Sequence, residues 1–582
     1  MKRESMYVGE GASAFFACYH SEEAAPPGDR VAVVCGPIGY EYTRAHRTLR
    51  HLADSLARAG IPALRFDYHG IGDSAGSDID PDRLGTWKEN IRTAIERARA
   101  LSGCDSVCLV GVRLGATLAA IVAHEMGVDE LVLWNPVIKG RPYVRELQAI
   151  AMSAERGGTA EGALESAGSI VSDQTLAALR ETSLLDVPLQ ARRILVAGRD
   201  DQAPDMSLNE YLTASGVVNE YTRLPGWDAM MAEHMLTVVP EAALEKIVEW
   251  ITREPAVPRA SRPASPAPAR TAVSFPVETQ VGNAIVEESL CAFGKDSHLL
   301  GVLSRSTRDT ERPAIVIFNA GAVHRVGPNR MSVTLARHFA AMGLACLRFD
   351  LEGIGDSVLR GSGRENHPYP ETALADARAA FDFLRRRHGY TRFIAMGLCS
   401  GAHTTFHAGL QLADDVICEL ILINPITFYW TEGMDLDSAR HFEDAIQYRK
   451  AMRNPDRWLK LLRGGVDFRH LALTVTALVA TKVKSHRDAL RERLMPLKAS
   501  PLSRDLRRLH AMNRAISLFL AEDDPGREIL LAGARLTATR ALKSGALRLE
   551  IIPGADHTFS QLAPRMDLVK RLIAHLRPYA SS

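Results

Sequence analysis

Two patterns alternate along the chain. Short runs of consecutive apolar residues, rich in β-branched side chains, occur at VAVVCG from Val31, PALRF from Pro62, SVCLVG from Ser106, LVLWNP from Leu131 and RRILVAG from Arg192. They recur at AIVIF (Ala314–Phe318), ACLRF (Ala345–Phe349), RFIAMG, LILINP and AISLFLA, with LRLEIIPG as the last. Between them lie segments with apolar residues at helical spacing, such as MSVTLARHFAAMG and ETALADARAAFDFLRRRHG. A run without apolar–polar alternation is a strand buried on both faces. Such strands separated by helices predict an α/β fold with a mostly parallel sheet covered on both sides.

The pattern occurs twice. LADSLARAGIPALRFDYHGIGDSAGS from Leu52 aligns without a gap on LARHFAAMGLACLRFDLEGIGDSVLR from Leu335, at an offset of 283. Gly60, Arg65, Phe66, Asp67, Gly70, Ile71, Gly72, Asp73 and Ser74 all return in the second copy. The turns VGVRLGATL and MGLCSGAHT align at 286, and Asn135-Pro136 and Asn424-Pro425 at 289, so only small insertions separate the copies. Between the copies, EPAVPRASRPASPAPARTA (254–272) holds almost no large apolar residue and reads as a semi-extended linker. The expected organisation is a domain over 1–253, the linker, and a domain over 273–582.

Composition adds little. A chain of 582 residues exceeds one core. A net charge of +1 gives no electrostatic identity for a nucleic-acid binder. No run reaches membrane-spanning length; LALTVTALVA (Leu471–Ala480) is too short. No signal-peptide core is evident, and a cytoplasmic protein is expected. Eight cysteines fit a reduced chain. Cys104 and Cys108 sit in a strand-like run and read as buried thiols, so no metal site and no cofactor are expected.

The chemistry is in the second copy. A strand ending in Gly397-Leu-Cys399-Ser-Gly401 and running into a helix is a nucleophile elbow. It projects Cys399 above the sheet at a helix N-terminus, which favours the thiolate. The backbone N–H of Ser400 then points where an oxyanion develops. After AISLFLA comes Glu522-Asp523-Asp524, with Asp524 the favoured acid and Asp523 the fallback. Thirty-three residues later, IIPGADHTF places His557 in a loop after the last strand. The order nucleophile, acid, histidine is the hydrolase order. His324, His403 and His407 have the wrong topological position for the base.

On RFDLEGIGDS, GLCSGA, LINP, AEDD and GADHTF, both halves resemble the α/β-hydrolase superfamily in its serine-aminopeptidase-like branch. The resemblance implies two tandem α/β-hydrolase domains, and a second oxyanion N–H from Gly321 in FNAGAV. CGPIGYEYTRAHRTLR is similar to hydrolases associated with exopolysaccharide export, and a cysteine elbow is similar to dienelactone hydrolases and acyl-shuttling transferases. The RFDLEGIGDS motif reads as a shaped turn rather than chemistry.

In the first copy Arg113 replaces the nucleophile, Ala229 stands at the base position, and His234 is five residues late. Asp201 remains as the counterpart of Asp524. No triad chemistry is expected there. Arg113 is expected either to pair with Asp201 in a degenerate site or to bind an anion. In the second copy, about eighty-five residues separate LILINP from AISLFLA, which implies a helical cap over roughly 428–512. Arg440 to Arg514 holds eighteen Lys/Arg against seven Asp/Glu, a basic element suited to CoA, an acidic carrier protein, an anionic glycan or a membrane surface. Phe428, Tyr429 and Trp430 read as pocket-rim or core residues.

Three functions remain open. The first is a cysteine-dependent acyl-thioester hydrolase or acyltransferase, its substrate carried on CoA or a carrier protein. The second is a carboxylester or lactone hydrolase linked to exopolysaccharide metabolism. The third is a non-catalytic binding scaffold.

Overall fold

The computed structural model describes residues 1–22, 29–153, 159–160, 162–256, 269–279, 282–307, 309–412, 416–434, 483–495 and 498–580. They form two compact units. One comprises Met1–Cys291 with Val302–Ser304 and Asn329–Thr334; the other comprises Ala292–Gly301, Arg305–Pro328 and Leu335–Ser582.

In the first unit the strand order is Lys2–Val8, Phe15–Ser21, Ala63–Phe66, Val31–Cys35, Val107–Val112, Glu130–Trp134, Arg193–Arg199 and Asn219–Leu224. The first two pairings are antiparallel; from Ala63–Phe66 onward every pairing is parallel. Val31–Cys35 and Val107–Val112 are buried at every residue, as uninterrupted apolar runs require. Helices Tyr40–Arg58, Arg83–Ser102, Leu114–Met126 and Glu241–Thr252 belong to this unit. The fully buried rings of Trp87, Trp134, Trp227 and Trp250 lie in its interior. The two N-terminal strands were not among the sequence expectations. Where a second cap could lie, the unit instead has a small antiparallel sheet of Thr159–Ala160, Ala163–Ser166 and Ser169–Ser172.

In the second unit six parallel strands run Cys346–Phe349, Ala314–Phe318, Arg392–Leu398, Val416–Ile423, Ala515–Ala521 and Leu547–Ile552. The order places the elbow strand Arg392–Leu398 in the middle and the acid strand Ala515–Ala521 two places away. The predicted strands are thus all present and parallel. The expected cap lies largely outside the described residues, and so does LALTVTALVA. What is described of that region is a helix over 483–494 and the helix Pro501–Ala511. The latter starts where its sequence says it should. Pro501 opens the first turn, and the Ser500 hydroxyl accepts the Ser503 N–H at 3.0 Å, a cap worth about 1 kcal/mol.

The RFDLEGIGDS turn is built as expected, around a buried aspartate. Asp350 accepts the Asp356 N–H at 3.0 Å and the Arg325 guanidinium at 2.7 Å, while the Ser357 hydroxyl donates to the Asp350 carbonyl at 2.6 Å. A Cβ on Gly355 would fall 2.3 Å from the Asp350 carboxylate. The first copy repeats the device, with Asp67 accepting the Asp73 N–H at 2.9 Å and the Ser74 hydroxyl donating to the Asp67 carbonyl at 2.7 Å.

Candidate active site

Two glycines force the shape of the Cys399 turn. A Cβ on Gly397 would meet the Gly401 backbone at 2.2 Å, and one on Gly401 would meet the Asn319 carbonyl at 2.7 Å. Helix and strands therefore approach closely enough to push the intervening residue into a strained conformation. Cys399 has φ 57° and ψ −117°, at the N-cap of helix Ser400–Gln411. Its own N–H is held by the Ile423 carbonyl at 3.0 Å. The thiol is thus displayed at a helix N-terminus by backbone geometry alone.

Asp524, and not Asp523, meets the histidine. The His557 Nδ1 lies 2.6 Å from Asp524 Oδ2, and Asp524 Oδ1 accepts the Gly526 N–H at 2.9 Å. The Asp524 side chain is fully buried, whereas 32% of the His557 side chain is exposed. Burial on its own would lower the His557 pKa. The Cys399 sulfur beside the ring and the Asp524 carboxylate outweigh it and hold the imidazole well above the ordinary histidine value. Cys399, His557 and Asp524 are therefore brought together in one chain of contacts. The remaining ring nitrogen, Nε2, is the atom available to exchange a proton with the sulfur.

One residue supports this arrangement that sequence reasoning had used only as a repeat marker. Asn424, at φ 45°, donates from Nδ2 to the His557 carbonyl at 2.7 Å and accepts the Ala521 N–H at 2.8 Å. It ties the base loop to the end of the acid strand. The asparagine of LINP was visible; its partners are set by tertiary structure.

Gly321 and Ser400 sit together, in a form not foreseen. The Gly321 N–H donates to the Ser400 hydroxyl at 2.8 Å. Close to Cys399 is the buried phenol of Tyr369. Burial, and then the Cys399 charge, push its pKa far up, and its hydroxyl has no hydrogen-bond partner among the described residues. Tyr369 stacks on Trp430, centroids 5.0 Å apart at 8°, and meets His403 edge-on at 5.2 Å. Burial, then His407, lowers the His403 pKa to about 3, so this histidine stays neutral. His407 bonds the Phe428 carbonyl at 2.8 Å, and the Tyr429 hydroxyl donates to Asp505 at 2.5 Å. The aromatic residues after Asn424-Pro425 thus line up beside the elbow helix. His324 is buried.

The first unit keeps the turn and loses the chemistry. Arg113 has φ 53° and ψ −125°, nearly the angles of Cys399. A Cβ on Gly111 would fall 2.3 Å from Ala116, and one on Gly115 2.2 Å from the Gly36 carbonyl. The expected pairing of Arg113 with Asp201 does not occur. Arg113 binds Glu41 at 2.8 Å and Glu146 at 2.6 Å and lies over the Tyr143 ring. Asp201 instead pairs with Arg199, two residues away, at 2.8 Å. The reason is reach: the arginine emerges beside helix Tyr40–Arg58, and Glu41 in its first turn is the nearer carboxylate. With two carboxylates on it, the guanidinium offers no unmatched charge to an anion. His234 is neutral, its pKa lowered to about 4 by burial and then by Arg44. Asn135, the counterpart of Asn424, has no partner for its Nδ2 among the described residues. Among the described residues, His298, Glu352 and Asp376 lie close enough together to hold a metal, and they belong to neither elbow.

Residues 42–163 match the family model described as serine aminopeptidase S33, and residues 320–571 match the model described as the alpha/beta hydrolase family. The chain is a tandem α/β-hydrolase. No curated protein matches the tandem hydrolase. Among solved structures it is similar to Est1E from Butyrivibrio proteoclasticus with bound ferulic acid, at 18% identity and TM-score 0.35, over 42% of this chain and 99% of that one. It is also similar to a lidless α/β serine hydrolase from Xanthomonas campestris, at 18% identity and TM-score 0.29, over 44% and 98%. A third is the proline iminopeptidase of Mycobacterium smegmatis, at 13% identity and TM-score 0.31, over 43% and 98%. Among the described residues of the tandem hydrolase, no helix is long and apolar enough to cross a membrane.

Proposed function

We propose that this hydrolase works through Cys399 on acyl thioesters, passing the acyl group to a second thiol or to water. The observation that carries the reading is a cysteine at the elbow whose neighbouring histidine, His557, is held by the buried Asp524. In the first step the Cys399 sulfur, its proton held on His557 Nε2, attacks the thioester carbonyl carbon. The carbonyl π electrons move to oxygen, which the Ser400 and Gly321 N–H groups receive. Collapse expels the donor sulfur, which takes the proton from His557. In the second step His557 removes a proton from the acceptor thiol or water as it attacks the acyl-cysteine, and returns that proton to Cys399. Asp524 orients the ring and stabilises the imidazolium.

Cysteine suits this exchange for an energetic reason. Moving an acyl group from thiol to serine trades a thioester for a lower-energy ester, and onward transfer to a thiol is then uphill. Moving it from thiol to cysteine to thiol keeps every state a thioester, so neither step is a sink. The basic stretch Arg440–Arg514 supports a phosphorylated or acidic carrier of the acyl group, such as CoA or a carrier protein.

The test is intact-protein mass spectrometry after mixing with acyl-CoA and acyl-pantetheine donors. An acyl adduct in the wild type that is absent in Cys399→Ala supports the reading. Its lifetime with and without added thiol separates transferase from hydrolase. Turnover of oxygen esters with no adduct from any thioester overturns it in favour of a carboxylester hydrolase, and inactivity on both favours a binding scaffold.

A further inference from the structure

A second constellation lies in the same unit, where the turn before strand Leu299–Arg305, the RFDLEGIGDS turn and the first turn of helix Ala373–His388 meet. His298, Glu352 and Asp376 are all buried there, with one ligating atom of each within 4.8 Å of the others. His298 Nδ1 donates to the Lys295 carbonyl at 2.8 Å. That bond puts a proton on Nδ1 and turns Nε2 toward the two carboxylates. Nε2 is buried and makes no hydrogen bond. It stands 3.7 Å from Glu352 Oε2 and 3.6 Å from Asp376 Oδ1.

Those distances discriminate between a proton and a metal. An N–H···O bond closes to about 2.7–3.2 Å. Ligand atoms around a shared ion, each at about 2.0–2.2 Å from it, stand well over 3 Å apart. The spacing is too long for the first and of the right order for the second. Charge points the same way. Glu352 is bonded by the Arg360 guanidinium at 2.8 Å, whereas among the described residues no guanidinium or ammonium pairs with Asp376.

The chain is bent to put the imidazole there. Asp296 and Ser297 both take left-handed φ values, 57° and 55°, which non-glycine residues rarely adopt. Gly294 precedes them at φ 80°, and a Cβ on it would fall 2.6 Å from the His298 ring. The first copy shows that the fold itself does not demand these groups. There the His69 N–H donates to Asn90 Oδ1 at 2.8 Å, just as the Glu352 N–H donates to Asp376 Oδ2 at 2.9 Å. Likewise the Ala14 carbonyl accepts the Ala75 N–H at 2.9 Å, as the His298 carbonyl accepts the Val358 N–H at 2.8 Å. Asparagine and alanine suffice for the turn. The aspartate charge and the imidazole are additions.

We propose that His298 Nε2, Glu352 Oε2 and Asp376 Oδ1 bind one divalent transition-type cation, such as Zn2+ or Mn2+. A mixed nitrogen and carboxylate set suits these ions rather than Ca2+ or Mg2+, which take oxygen shells. Three protein ligands leave a position for water. The ion would staple the three segments together, and the site is independent of the chemistry proposed at Cys399.

The experiment uses the full chain, stripped with a chelator and then titrated with Zn2+ or Mn2+ alone. Binding is read by calorimetry, metal content by elemental analysis and stability by thermal unfolding. About one equivalent is expected, with a rise in Tm, and affinity at least about a hundredfold weaker in His298→Ala and in Asp376→Asn. Asp376→Asn keeps the acceptor the turn needs, as Asn90 does, and so guards against misfolding of the histidine variant. Cys399→Ala should bind as the wild type does. Binding lost in Cys399→Ala but kept in Asp376→Asn overturns the proposal by placing the metal at the elbow. No binding by the folded wild type overturns it as well, leaving the three side chains a polar contact of the turn alone.

Discussion

The two elbows are the same turn carrying opposite chemistry. Cys399 and Arg113 share backbone angles to within about 10°, and in each copy the flanking glycines leave no room for a Cβ. Around Cys399 the neighbours are His557, with the buried Asp524 behind it, and the buried Tyr369. Around Arg113 they are two glutamates. Strain at an elbow is usually read as part of the catalytic machinery. Here it persists where no nucleophile exists, so it is a property of how strand and helix join, and function is decided by which side chain stands on it and what faces that side chain.

The largest difference should appear at the elbow itself. Cys399→Ala or His557→Ala should reduce thioester turnover by about a thousandfold or more, because the groups of a catalytic unit fail together. Arg113→Ala should leave acyl-adduct formation at Cys399 unchanged. It should instead cost about 3 kcal/mol of stability, since the buried Glu41 loses its counterion. Denaturant unfolding read beside adduct mass would break the comparison if the two effects were exchanged.

Asp524→Asn should come next, with turnover down by about a hundredfold or more and the His557 resonances titrating at lower pH than in the wild type. The sign follows from the raised folded pKa. The stabilisation is fully present below the unfolded histidine value of about 6.5 and is lost as pH rises through the folded one. Asp201→Asn, the matching change in the first unit, should only break an exposed pair with Arg199 and alter stability by less than about 1 kcal/mol.

Asparagine replacement sharpens the comparison further. Glycine tolerates the left-handed backbone of both positions, so Asn424→Gly and Asn135→Gly isolate the side chains. The first should lose two buried bonds, about 1–3 kcal/mol, and slow turnover by loosening the His557 loop. The second should be close to neutral. The smallest effect is expected from His234→Gln. The folded pKa of His234 lies near 4, below its unfolded value, so stability present above about pH 6.5 is lost as pH falls toward 4. The substitution should flatten that part of the stability–pH curve.

How far the sequence could be read depended on range. Cys399, Asp524 and His557 were legible because each lies just past a strand in a short local motif, and parallel strands bring their C-terminal ends together. The parallel strands were legible because burial on both faces leaves an uninterrupted apolar run. The first strand, Lys2–Val8, was not, since it begins KRES and is only half buried. The partner of Arg113 was misjudged because Asp201 matched by alignment, whereas a long side chain takes whichever carboxylate it reaches first. Asn424 and the His298 group lay in plain view as letters. What they do depends on residues 97 to 133 positions away for the one, and 54 to 78 for the other.

The bond from the Gly321 N–H to the Ser400 hydroxyl carries a consequence for selectivity under the proposed mechanism. At rest this donor is already occupied by the serine hydroxyl. A neutral substrate carbonyl is a weaker acceptor than an alkoxide and gains little by displacing a hydroxyl. The oxyanion, carrying a full charge, gains much. The serine therefore works as a threshold: it yields its place to the transition state and keeps it against the ground state, which is the kind of discrimination that raises turnover rather than affinity.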